Sequence, residues 1–90
     1  MQLQEIYKLF VELGKENDPR GPEELARVLE RTRQEYENLK GDLKAYFDQD
    51  SLDNPFADTR ILVGEPAAEV QNVLAGIDME ISEVLLAEAL

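Results

Sequence analysis

Asp48, Asp50, Asp53 and Asp58 crowd one stretch of the chain, and carboxylates at such spacing are the residue type that binds calcium or magnesium. The EF-hand pattern does not fit them. Counted from Asp48, Leu52 stands where an oxygen ligand is needed, Asp53 where a Gly must turn the loop, and Thr59 where a Glu closes the site. Local turns, in which Asp and Ser side chains bond nearby backbone, account better for the stretch.

Asp78 is the other candidate, at the carboxyl end of an apolar run where ligands of open α/β sheets gather. The same carboxylate suits a cap facing the amides of the helix that follows. A carboxylate-only site drawn from Asp48, Asp50, Asp58 or Asp78 would favour Mg, Mn or Ca over zinc, but no pair of these acids has a convincing catalytic spacing.

The 90 residues contain no His and no Cys, which removes the usual general base near neutral pH, the commonest zinc ligands and any disulfide. Twenty acids against nine bases give a net charge of −11, a balance that argues against nucleic acid and anionic membranes. Neither a leader nor a membrane-length apolar run is present, so a cytoplasmic location is expected. The charge is divided unevenly: residues 1–47 hold ten acids and eight bases, residues 48–90 ten acids and only Arg60.

Leu3, Ile6, Tyr7, Phe10 and Leu13 recur at helical spacing and predict a first helix, ended by Gly14 and the 17–21 cluster. A second helix opens at Pro22, with Glu23 and Glu24 at its positive dipole end and a stripe of Leu25, Val28, Leu29, Tyr36 and Leu39. Pairs Glu23–Arg27, Arg31–Glu35 and Arg33–Glu37 lace its outer face. Tyr7, Tyr36, Tyr46, Phe10 and Phe47 read as helix-packing core rather than as base-stacking platforms. After Gly41 a kinked helical path carries Leu43, Tyr46 and Phe47 into a loop ending at Asn54-Pro55.

Arg60–Val63 and Val70–Ile77, joined by a short Gly64–Glu69 link, predict an antiparallel β-hairpin followed by a helix through Ile81, Val84, Leu85 and Leu90. The expected fold class is therefore α/β, or α+β for this chain taken alone: a helical extension over 1–57, then an incomplete sheet domain over 58–90. The terminal helix lacks a closing Gly, Asn or basic residue, so the sequence reads as one that continues.

Asp58-Thr59-Arg60-Ile61-Leu62-Val63-Gly64-Glu65-Pro66, then Glu69-Val70 and Val73-Leu74-Ala75-Gly76-Ile77-Asp78, resembles the amino-terminal start of the Nif-three-like (NGG-one-interacting-factor-three-like) family. Asp18-Pro19-Arg20-Gly21 and Val28-Leu29-Glu30-Arg31 resemble the extended amino terminus of a bacterial and archaeal branch of it. The resemblance implies an α/β metal-dependent hydrolase or cyclohydrolase-like protein in a ring-like homo-oligomer, with two divalent metal ions. The family's ligands are a His-His pair, a later Asp, and a distant His and Glu, and no matching position exists in this chain. Other members have Trp-Asp-Asn where this sequence has Ala57-Asp58-Thr59.

The expected role is thus that of an amino-terminal segment of such a protein, structural by itself and not an enzyme. Asp58 and Asp78 are the residues nearest a site of the whole protein. The alternative is a stand-alone acidic module that recruits a protein partner through its helices and an exposed strand edge.

Overall fold

The computed structural model describes residues 1–76 and 79–90. The first helix, α1 (Leu3–Asn17), starts at Gln2, whose backbone is extended and whose amide donates to Glu5 Oε1 at 3.1 Å. The first four amides of a helix have no partner within it. Here Leu3 N and Gln4 N donate to the carbonyls of Ala68 and Pro66, both at 2.8 Å, while Glu5 N and Ile6 N return to the Gln2 carbonyl. Residues 66–70 thus lie across the start of α1, and Val70 N donates to Met1 O at 2.8 Å.

Gly14 does not end α1. The helix runs on to Asn17, and a Cβ at position 14 would sit 2.8 Å from the Phe56 ring, so the glycine lets that ring lie on the helix backbone. Asn17 Nδ2 then donates to the Leu13 carbonyl, and Asp18-Pro19 turns the chain. Asp18 accepts from Arg20 through its backbone amide (2.9 Å) and its guanidinium (2.9 and 3.1 Å). The Arg20 hydrogen bonds hold the Asp18 carboxyl below its ordinary range. Gly21, at φ 81°, takes the left-handed conformation that the entry to the next helix demands.

The second helix, α2 (Gly21–Asn38), begins one residue before the expected Pro22 and buries Leu25 against α1, with Val28, Leu29, Tyr36 and Leu39 half-buried. Of the expected outer pairs Arg33–Glu37 forms at 2.8 Å, whereas Arg27 turns to Glu24 at 2.9 Å and Arg33 also reaches Glu30. A 3-10 helix (Gly41–Tyr46) folds the chain back so that Phe47 meets Tyr36, ring centres 4.9 Å apart and tilted by 46°. Lys44 Nζ lies 5.1 Å from the Tyr36 ring centre, within cation–π range. Tyr46 and Phe10 fall outside the expected core, at 86% and 54% exposure.

A second 3-10 helix (Gln49–Leu52) packs on α2 and delivers Asn54 to the interior. Among the described residues only Val11, Leu25 and Asn54 are buried, so the core is thin and has a polar member at its centre. Asn54 Nδ2 donates to Tyr7 Oη (2.9 Å) and the Thr59 carbonyl (2.7 Å), and Oδ1 accepts from Phe56 N (2.9 Å).

The expected antiparallel hairpin, and with it the α/β class, is corrected by the fold: no strand forms among the described residues, and the architecture is helical. One isolated antiparallel bridge joins Gln2 to Glu69. The return segment has spent backbone groups on the amino end of α1, and Arg60 is tied into the preceding loop, so the two runs do not meet. A two-stranded ribbon is marginal in water, and capping the orphan amides of Leu3 and Gln4 competes well with it. Ile77, the expected end of the return strand, lies outside the described residues. The last helix, α3 (Ile81–Ala89), starts where periodicity predicts.

Replacing Asn54 by Ala removes the Asn54 bonds to Tyr7 Oη, Phe56 N and Thr59 O, the last of which keeps its bond from Arg60, and is expected to cost about 2–3 kcal/mol in urea unfolding; Tyr7→Phe, which removes one bond, should cost about 1 kcal/mol. A second outcome concerns acid. Because the Asp18 carboxyl titrates below its ordinary 3.8 when folded, its contribution is complete above that value and is lost as pH falls through the folded one. The difference in melting temperature between the native chain and Asp18→Asn should therefore be full at neutral pH and shrink below pH 3.8. A difference independent of pH would refute the pairing.

Candidate functional site

Of the aspartates singled out in the sequence, Asp48, Asp50 and Asp53 lie on or beside the second 3-10 helix, and Asp58 lies in the loop that follows. Asp48 caps that helix, accepting from Asp50 N at 3.2 Å, and its other oxygen takes two hydrogen bonds from Arg60, at 2.9 and 3.1 Å. Arg60 Nη1 also donates to the carbonyls of Phe56 and Thr59, which makes Arg60 a clasp holding the loop closed. Asp50 and Asp53 border a small cleft of about 180 Å³ that is also lined by Lys8, Glu12 and Lys15, the last two paired with each other at 3.5 Å. Asp58 is exposed, and Asp78 lies outside the described residues.

No three carboxylates converge on a metal-sized space among the described residues. The donors of this chain do not fit the dinuclear centre that the family resemblance implies: His is missing altogether, and Asp48 is already neutralised by Arg60.

The feature with the shape of a binding site is an open groove of about 520 Å³ between α1 and residues 58–63. One wall is the Leu3, Ile6, Tyr7 and Phe10 face of α1, predicted as core and here only half covered. The opposite wall is the run Asp58–Val63, which bends at both ends and in which Leu62 and Val63 are 89% and 91% exposed. Tyr7 is oriented by its bond to Asn54, so the groove offers apolar surface and one carboxylate, Asp58, rather than a nucleophile with a base.

At the other end of the chain, α3 is opened by Glu83, whose carboxylate accepts from Glu80 N (3.0 Å) and Ser82 Oγ (2.8 Å). These bonds lower its carboxyl, the hydroxyl contributing most. Ile81, Val84, Leu85, Leu86 and Leu90 are all exposed on successive sides of this helix. No helix among the described residues is long and apolar enough to cross a membrane.

Asn54 and Phe56 are the organising residues that sequence reasoning passed over as loop. The usable signal was Gly14: a glycine inside an otherwise periodic helix marks a close approach, here by Phe56.

No protein-family model matches this chain, and no curated protein and no solved structure is significantly similar to it.

Because Asp48 is engaged by Arg60 and the remaining carboxylates stand apart, millimolar Mg, Mn or Ca is expected to leave the melting temperature unchanged. A saturable rise, which mass action requires of any ion specific to the folded state, would reveal a site the geometry does not support.

Proposed function

We propose that this chain is a non-catalytic assembly segment, the amino-terminal part of a Nif-three-like metal-dependent hydrolase whose two divalent metal ions are held by residues outside it. The observation that carries this reading is α3. Apart from Ser82, Glu83 and Glu88 the helix is apolar, and its large apolar side chains, on several sides of it, are all exposed, a pattern that suits the interior of a larger body. A water-facing helix would keep such side chains to one stripe, so α3 calls for cover on more than one side. The helical first part, with its own caps and ion pairs, then acts as the platform from which α3 is presented.

The second reading, a stand-alone acidic interaction module, is favoured by the half-covered groove beside α1, which can accept a partner without α3. Association of identical chains is the form of assembly that the family resemblance implies, and in the first reading α3 contributes to it.

The test is calorimetric titration of the 90-residue chain into a Nif-three-like protein lacking the corresponding amino-terminal segment. Saturable binding with a negative heat-capacity change is expected, the mark of apolar burial. Leu85→Asp in α3 should abolish it while leaving the α1–α2 melting transition in place. Absence of binding, with the chain folded and monomeric by light scattering, would sink the assignment and leave the module.

A further inference from the structure

The geometry points to a specific occupant for the groove beside α1: a short extended peptide segment, apolar in its middle and carrying Lys or Arg at both ends, which adds as a strand along residues 61–63. This deepens the reading of the chain as an assembly segment and rests on it, since it names the chemistry of one partner surface. Among the described residues, no backbone amide or carbonyl of Ile61, Leu62 or Val63 finds a hydrogen-bond partner. Residues 59–62 belong to no helix or turn, and α1 lies on one side of the run, across the groove that Leu3, Ile6 and Phe10 line. An open backbone edge beside an apolar wall is what strand addition uses, main-chain bonds giving affinity and side-chain pockets giving selectivity.

Charge decides what kind of segment fits. Asp58 stands at one end of the run, and Glu65 follows Gly64 at the other. Gly64 turns the chain at φ 122°, and a Cβ there would lie 3.1 Å from the Leu3 side chain, which puts Glu65 beside the Leu3 end of the groove. Neither carboxylate is in an ion pair among the described residues. The cation in the groove wall, Arg60, is committed to Asp48 and to two backbone carbonyls. An acidic segment would therefore meet uncompensated carboxylates at both ends, as would a second copy of a chain at −11. Asp58 and Glu65 bracket six residues, 59–64, so a segment of similar length can bring a cationic side chain toward each carboxylate.

The test follows the backbone amide resonances of the full 90-residue chain during titration with the synthetic peptide KVTVIK, its charge-reversed partner EVTVIE, and KVTVIK methylated on alternate backbone nitrogens. Saturable shifts centred on Ile61–Val63 are expected with the cationic peptide alone. Binding of the charge-reversed peptide should be at least about fivefold weaker, and Asp58→Asn or Glu65→Gln should each weaken KVTVIK about two- to fivefold, the range of an exposed ion pair. Equal binding by EVTVIE, or by the methylated peptide, overturns the proposal. So does a concentration-dependent dimer that shifts the same amides without peptide, which would give the groove to a second copy. Loss of peptide binding while the chain still binds the Nif-three-like body would remove this proposal and spare the assembly reading.

Discussion

The fold hangs on one buried amide. Asn54 is the polar member of a three-residue interior, and its side chain ties α1, through Tyr7, to the far side of the loop, through Thr59 and Phe56. A group so buried is costly unless it is bonded, and the cost enforces geometry: an alternative loop path would strand these donors and acceptors away from water. Two apolar side chains, Val11 and Leu25, could not specify this arrangement by packing. The position of Phe56 on Gly14, and of Arg60 on Asp48, follows from the path that Asn54 fixes.

Much of the helical part was legible in the sequence because helices announce themselves locally. The apolar periodicity of residues 3–13, Pro22 in the first turn of α2 and the acids that follow it are properties of a few neighbouring residues, and α1, α2 and α3 start within a residue or so of where they are expected. The hairpin failed for the opposite reason. Whether Val70 pairs with the 60–63 run or with the amino end of α1 is a contest between distant backbone groups, and no local pattern encodes that the orphan amides of Leu3 and Gln4 win it. The run Arg60–Val63 has the composition of a strand, but composition is not pairing, and no strand forms there.

The candidate site was legible in its residue types and illegible in its arrangement. Asp48 and Asp50 sit in local turns as their type favours, yet nothing in the spacing says that Arg60 will cross twelve positions to neutralise Asp48. The same side chain closes the loop from within: the guanidinium sets a positive charge against Asp48 and ties the Phe56 and Thr59 carbonyls.

A division of labour emerges from where charge is matched. In the first part, acids and bases nearly balance and pair along α2, so much of the charged surface satisfies itself. Beyond Arg60 no base remains, while six carboxylates, those of Glu65, Glu69, Asp78, Glu80, Glu83 and Glu88, accompany exposed Leu62, Val63, Val73, Ile81, Val84 and Leu85. Like charges keep such segments from collapsing on one another, and apolar exposure makes their free state unfavourable. A surface with both properties is resolved by a partner that is apolar and cationic together, which is why the unfinished character of residues 60–90 is a statement about what they bind as much as about how they fold.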